Sequence, residues 1–261
     1  MTKDNTKPSL GSIEKSFRII ELLKREGACG VTRVAEELDL PKSTAHSHLS
    51  TLEELSYVVN EGSQYEVGLR FMSLGQHARY KRPEYELVES KVEMLAERTG
   101  ERSLFIVEEH GYGIYLHVAL GTNAVDIGGE LGDRRRNFHC SSSGKAILAY
   151  LPEPRRTALL DEISLTSKTE HTITTREELE DELERIRKQG YALNREELLL
   201  GLQGVAVPVM YPNGMVVGSL CISGPTHRMQ GERLEEELPN LLLGVANEIE
   251  LNMGRSLRNS V

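Results

Sequence analysis

The stretch that decides the fold is Leu40-Pro41-Lys42-Ser43-Thr44-Ala45-His46-Ser47-His48-Leu49-Ser50-Thr51-Leu52. Ala45, Leu49 and Leu52 recur at i, i+4, i+7, the spacing of one narrow apolar stripe on a helix. Pro41 suits the first turn of that helix, where its missing N–H is not needed. Ser43, Ser47 and Ser50 point away from the stripe, and Lys42, Thr44, His46 and Thr51 flank them. The exposed face therefore carries short hydrogen-bonding side chains with little bulk. A helix needs such a face to bring its backbone close to base edges in a major groove about 12 Å wide. Taken alone, the stripe would describe any amphipathic surface helix.

Its neighbours turn the reading toward DNA recognition. Ile13, Phe17, Ile20 and Leu23 repeat with helical spacing, so Ser12 to about Arg25 is a first helix. Gly27, Cys29 and Gly30 break it. Thr32 is placed to cap a short second helix carrying Val34, Ala35 and Leu38 inward. Asp39 makes the tight turn, because Asp tolerates left-handed backbone angles. After the recognition helix, Tyr57-Val58-Val59-Asn60 and Tyr65-Glu66-Val67 read as strands joined by a hairpin turn at Glu61-Gly62-Ser63-Gln64. Three helices and a two-stranded ribbon make a winged helix-turn-helix.

The 261 residues suggest two domains, each able to bury a core. No run of some 18 apolar residues is present, so no membrane span is expected. The polar lead, residues 1–10, reads as disordered and lacks a signal-peptide stretch. Three scattered cysteines fit a reducing cytoplasm better than a disulfide framework or a zinc cluster. The closest histidine pair, His46 and His48, falls on two different helix faces, and His48 turns toward the core boundary. No metal and no cofactor is expected. Net charge is −9, with 10 basic and 11 acidic residues over 1–80 against 21 and 29 over 81–261. The acid is thus concentrated away from the DNA-reading part. The recognition helix still has one Lys and no Arg, although Lys and Arg contacts to phosphate supply most non-specific affinity. A molar-salt cytoplasm, where charge is screened within about 3 Å, would remove the advantage of such contacts.

Residues 69–82 read as a linker. Leu69, Met72 and Leu74 continue an apolar pattern that Gly75 interrupts, and Pro83 can open the next helix at its first position. Leu87, Val88, Val92, Leu95 and Ala96 carry that helix to Thr99, with Gly100 as its stop. Over 83–255, strands are expected at 104–107, 114–118, 125–127, 204–210 and 215–222. The first two flank His110-Gly111-Tyr112-Gly113, and the last two flank Tyr211-Pro212-Asn213-Gly214, whose Asn-Gly step marks a hairpin. Helices are expected at 142–150, 154–161, 176–189 and 232–253, the third highly charged and solvated. This is an α+β, sensor-type domain. One stretch in it can carry chemistry: His139-Cys140-Ser141-Ser142-Ser143-Gly144-Lys145. Unpaired N–H groups at a helix start attract a carboxylate or phosphate, and small residues let it approach. A plain helix capped by Ser is the equal alternative.

By these residues the chain resembles the isocitrate lyase regulator (IclR) family of transcription factors. The resemblance runs from about Leu10 to Met253. It rests on Ser12-Ile13-Glu14-Lys15-Ser16, Leu40 to Ala45, Leu52-Glu53-Glu54-Leu55, His139 to Ala149, Gly190 to Glu197, Gly201 to Val209 and Ser223-Gly224-Pro225. Arg79 to Glu86 and Thr226 to Asn252 look like archaeal members. The resemblance implies a winged helix, a linker helix and a C-terminal GAF-like effector-binding domain with a mixed or antiparallel sheet. It implies dimers or dimers of dimers on a pseudo-palindromic double-stranded operator, and a small effector, often a carboxylate. It maps the effector loop onto Ser142 and Ser143, and the rest of the pocket onto Asn194, Gly204, Cys221 and Ser223. Asn194, Gly204 and Cys221 depart from the common Asp, Cys and Ser, so effector identity does not carry over. Gly204 is expected to leave extra room.

The expected DNA contacts are Lys42, Ser43, Thr44, His46 and Ser47 in the groove, with Ser50 and the wing residue Gln64 at the backbone. The 69–100 segment is the expected moving part when an effector binds. Two rivals stand beside this reading. One is a ligand-independent DNA-binding protein whose large domain only oligomerises it. The other is a serine enzyme using Ser142-x-x-Lys145, but the Ser-Asp-Asn and Lys-Thr-Gly companions of that pattern are absent. No enzymatic activity is expected.

Overall fold

A computed structural model describes residues 10–259, with side chains through Arg255, and divides into two compact units, 1–78 and 79–261. The lead expected over 1–10 lies, apart from Leu10, outside the described residues.

The first unit builds α1 (Gly11–Glu26), α2 (Val31–Leu38), α3 (Lys42–Glu54), β1 (Val58–Glu61) and β2 (Gln64–Val67). Ala45, Leu49 and Leu52 of α3 are buried against Ile19, Leu22 and Leu23 of α1 and Val34 and Ala35 of α2. The stripe expected on α3 is therefore the seam of this unit. Asp39 turns the chain between α2 and α3 with φ 52°. The wing closes with Gly62 and Ser63 both at positive φ and Glu61 opposite Gln64, the geometry that matches strand twist in a two-residue hairpin. Cys29 adds an antiparallel bridge to Tyr65, with both backbone bonds at 2.9 Å.

Ile13 and Phe17 are more than half exposed, because α1 turns Ile19, Leu22 and Leu23 inward. Several local expectations are corrected here. Thr32 lies inside the first turn of α2, which Gly30 precedes without a side-chain cap. Pro41 stands at the cap of α3, one position before the first turn. Gly75 does not interrupt a helix: α4 (Arg70–Arg79) runs through it. None of the residues of α4 is buried, and Met72 and Leu74 are exposed. Arg70 donates to Leu55 O and stacks on Tyr57, whose ring also meets Phe71.

In the second unit α5 (Pro83–Thr99) starts with Pro83 and ends at Gly100, φ 73°. Then come β3 (Arg102–Glu109), β4 (Tyr112–Leu120), β5 (Arg134–Arg135), α6 (Ser142–Tyr150), α7 (Glu153–Glu162), α8 (Arg176–Gln189), β6 (Ala192–Arg195), β7 (Leu202–Met210) and β8 (Val216–Pro225). A π-helical turn at Arg233–Glu237 leads into α9 (Leu238–Asn259). The strands form one antiparallel sheet in the order β5-β4-β3-β8-β7-β6. α5 and α9 pack on one face, with Phe105, Val205, Val207, Leu220 and Ile222. α6, α7 and α8 pack on the other, with Leu104, Ile106, Ala206 and Cys221. Leu179, Leu183 and Ile186 anchor α8, so only its outer side is solvated.

Two sheet expectations fail. Val125 to Ile127 is no strand: residues 121–133 form a loop, and β-branched side chains alone do not supply a pairing partner. β6 was not expected, because Ala192-Leu193-Asn194-Arg195 lacks β-branched and aromatic residues. Pairing to β7 makes it a strand. Among the described residues no helix is long and apolar enough to cross a membrane.

Candidate functional site

On α3, Lys42, Ser43, His46, Ser47 and Thr51 are exposed, while Thr44 and Ser50 are half-buried. Ser47 Oγ donates to Ser43 O and Thr51 Oγ1 to Ser47 O, both at 2.9 Å. Those hydroxyl protons are spent on the helix itself. Outward the oxygens offer lone pairs, suited to the exocyclic amino groups of cytosine or adenine in a major groove. Ser50 Oγ lies 3.4 Å from His46 Nδ1. His48 is half-buried and shares a 2.8 Å bond with Ser16 of α1, which makes it a packing residue. Gln64 is exposed at the start of β2, and its amide nitrogen lies over Gly30, 3.2 Å from where a Cβ would stand.

The second constellation comes from register. Asn194 pairs with Gly204, Gly204 with Ser223, and Ser223 with Arg102. Directly opposed residues of antiparallel strands share a face, so these four form one rung across β6, β7, β8 and β3. The next rung holds Ala192, Ala206, Cys221 and Leu104. The start of α6 lies over these rungs, with Ser142 Oγ 3.4 Å from Cys221 Sγ. A cavity of about 50 Å³ lies there, lined among others by Arg102, Tyr115, Ser142, Ser143, Asn194 and Ser223. Gly204 adds no room of its own. A Cβ there would stand 3.0 Å from Ile222 O and 3.2 Å from Ser223 Cβ, so neighbouring atoms already occupy the space.

Ser141 caps α6, its Oγ accepting from Gly144 N at 3.1 Å. The cap and the open cavity coexist, since Ser142 and Ser143 begin the helix beyond the cap. Gly144 is required for this arrangement: a Cβ would lie 2.4 Å from Phe138 O, closing off the loop that wraps the helix start. Asn194 is buried, and its Oδ1 accepts from Glu197 N at 2.9 Å, which fixes the turn that carries Leu198 to the cavity.

Arg102 is the residue that sequence reasoning missed. Its exposure is 2%, and its Nη2 donates to Gly129 O at 2.6 Å. Its Nε is buried without a partner, and among the described residues it forms no ion pair. A charge taken out of water is costly unless paired, so this guanidinium favours a bound anion. Arg102 and Arg135 both lie against the ring of Tyr115, at 5.6 and 5.7 Å from its centroid. Burial raises the Tyr115 phenol despite both cations. The loop expected to be a strand lies here instead: Ile127 lines the cavity and Gly129 holds Arg102.

The serine-enzyme arrangement is not supported by this geometry. Lys145 Nζ is engaged by Glu197 at 2.7 Å and Glu182 at 3.0 Å, and it lines a separate cleft. Burial raises the Cys221 thiol and pushes Cys140 up to about 11, so neither supplies a thiolate. Among the described residues no group of His, Cys, Asp and Glu could hold a metal ion.

The end of the linker meets the sheet at His117 on β4. Its Nδ1 accepts from Arg79 Nη2 at 2.7 Å and its Nε2 donates to Tyr85 O at 2.7 Å. Burial and the neighbouring Arg79 hold the imidazole below its usual value. Glu89 completes the cluster, 2.6 Å from Arg79.

Comparison with known proteins follows the same division. A family model described as the IclR helix-turn-helix domain matches residues 12–62, and one described as the bacterial transcriptional regulator IclR C-terminal matches residues 85–251. The chain is 30% identical over 245 residues to the probable HTH-type transcriptional regulator ArcR of Halobacterium salinarum, covering 93% of each chain. It superposes on the crystal structure of the Thermotoga maritima IclR with a TM-score of 0.80 at 29% identity, covering 94% of this chain and 100% of that one. A third likeness is to an IclR homolog from Microbacterium hydrocarbonoxydans, solved in complex with 4-hydroxybenzoate. There the TM-score is 0.79 at 22% identity, covering 94% of this chain and 99% of the other.

Proposed function

The chain belongs to the IclR family of DNA-binding transcriptional regulators with a C-terminal effector-binding domain, and from that premise we propose that its effector is a small carboxylate seated between Arg102 and the start of α6. The observation that carries this reading is the buried Arg102, without a carboxylate partner and with its Nε unbonded, lining the same cavity as Ser142 and Ser143 at the start of α6. Both are donors fixed in place before a ligand arrives, and hydrogen bonds to a charged partner are the strong ones. The carboxylate bound by the Microbacterium homolog supports the same ligand class. Asn194, Gly204, Cys221 and Ser223 shape the floor beneath it.

On DNA, Lys42, Ser43, Thr44, His46 and Ser47 enter the major groove, with Ser50 and Gln64 at the backbone. A homodimer, or a dimer of dimers, presents two such helices to a pseudo-palindromic operator about 34 Å apart or a multiple of it. The exposed Ile13 and Phe17 of α1 and Met72 and Leu74 of α4 support a second copy as the partner. The effector changes operator affinity to the extent that it binds two arrangements of the dimer unequally, with the 69–100 segment as the moving part. Three free, buried cysteines fit a reducing cytoplasm, and the acidic excess fits one rich in salt.

Fluorescence anisotropy with a labelled operator, titrated with and without a panel of small carboxylates, tests the proposal. An acid that binds must shift operator affinity, and operator must shift acid affinity by the same factor. Replacing His46 and Ser47 by Ala relaxes base preference, as does Lys42→Ala, whereas Gln64→Ala at the backbone weakens all sequences about alike. Unchanged operator choice in the His46/Ser47 variant overturns the DNA contacts. Effector affinity indifferent to operator overturns the coupling.

A further inference from the structure

We propose that the effector carries a second acid group, so that the site takes a dicarboxylate in preference to a monocarboxylate; this rests on the carboxylate reading above. The cavity over α6 opens into a second one. The two share Tyr115, Ile127, Arg135, Asn137, Leu198 and Leu202. Arg102 lines only the inner cavity and Lys168 only the outer, with Arg135 at the neck between them. Burial grades the same way: Arg102 is buried, Arg135 half-buried and Lys168 exposed.

Charge makes the pattern specific. No Asp or Glu lines either cavity, although the chain has 40 acidic against 31 basic residues. Among the described residues none of the three cations forms an ion pair with a carboxylate. Cations buried or half-buried elsewhere in this unit do: Lys145 with Glu197 and Glu182, Arg79 with Glu89, Arg228 with Glu101. A carboxylate seated on the α6 start answers Arg102. Lys168 and the outward side of Arg135 stay unanswered, because the neck separates them from that seat. A second carboxylate in the outer cavity answers both. Ile127, Leu198 and Leu202 line the neck, so the spacer between the two acids is hydrocarbon, aliphatic or aromatic, rather than polyhydroxylated.

The test uses the full chain and matched acid pairs at constant ionic strength: benzoate against terephthalate, butyrate against succinate, hexanoate against adipate. Calorimetry gives affinity and thermal unfolding gives an independent reading. In at least one pair the dicarboxylate is expected to bind about tenfold tighter or more, the value of one further charge-assisted contact. Arg135→Gln brings that dicarboxylate down to the level of its monoacid. Lys168→Gln, at an exposed position, causes a smaller loss in the same direction. If monoacids bind and no dicarboxylate gains over its partner, or if neither variant lowers the gain, the second acid group is refuted and the carboxylate site stands. If no acid in the series binds, both readings fall.

Discussion

The two faces of the six-stranded sheet are built from the same strands and do opposite work. Toward α5 and α9, every second residue of β7 is Val205, Val207 and Val209, and β8 and β3 add Leu220, Ile222 and Phe105. Toward α6, the same strands present Asn194, Gly204, Ser223 and Arg102 on one rung. One face is given wholly to packing. The other packs α6, α7 and α8 as well, but keeps one rung of polar groups beside open space. Alternation along a strand makes both possible at once, since a single residue step changes the face.

The contrast can be broken most sharply on the packed side. Phe105→Ala should destabilise the protein by about 3–5 kcal/mol, read by urea unfolding, because a large fully buried ring leaves a cavity. A loss under about 1 kcal/mol would mean that face is not the main core. On the cavity side, Arg102→Met should leave unliganded stability within about 1 kcal/mol, since it removes a buried charge that has no carboxylate. It should also erase the ligand-induced gain, about 2.7 kcal/mol at a hundredfold excess over Kd. Thermal unfolding with and without acid checks both halves, and a severe loss of unliganded stability would make Arg102 structural.

Acid should find a weak point on the packed side as well. His117 faces Arg79, Glu89 and the carbonyl of Tyr85, and its folded pKa is lowered, first by burial and then by Arg79. His139, ahead of α6, is lowered by burial too. A lowered histidine means that the folded state binds fewer protons than the unfolded one. The stabilisation is therefore complete above the unfolded value near 6.5, and it is lost as pH falls from there through the folded value. Each site contributes a slope of at most about 1.4 kcal/mol per pH unit. Urea unfolding between neutral and mildly acid pH, with His117→Gln flattening the curve, measures it. The smallest effect expected is that of Ser142→Ala. The backbone N–H, not the hydroxyl, is the proposed donor, so stability and acid affinity should each change by less than about 1 kcal/mol. Loss of all acid binding would reinstate the hydroxyl as the working group.

The sequence made the first unit largely legible because its signals are local. Ala45, Leu49 and Leu52 declare their face within eight residues, and Gly62-Ser63 declares its turn. Spacing there gave the helix but not its inward face: Ile13 and Phe17 are exposed on a helix whose buried residues are Ile19, Leu22 and Leu23. The cavity was legible only where small residues crowd one stretch, at Ser141 to Gly144, or where the family resemblance reached. Arg102 gave no signal. Its meaning comes from a rung whose other members, Asn194, Gly204 and Ser223, lie more than 90 positions further along the chain, and from Gly129 as a neighbour. β6 was missed for the same reason, since pairing rather than composition makes it a strand. The loop after β4 was misread because Val125 and Ile127 look extended, although Val125 is exposed and Ile127 lines the cavity.

The linker helix α4 has ten residues, none of them buried, and the seven from Met72 to Ala78 are all exposed. Helices this short seldom persist alone in water, where nucleation costs more than so few turns return. Whatever comes to lie on Met72 and Leu74 therefore also governs how much of the segment stays wound. Dilution that separates copies would then fray it, and amide exchange across residues 70–79 would quicken as concentration drops. Under the proposed homodimer, the chain's own concentration would set how much of α4 is wound.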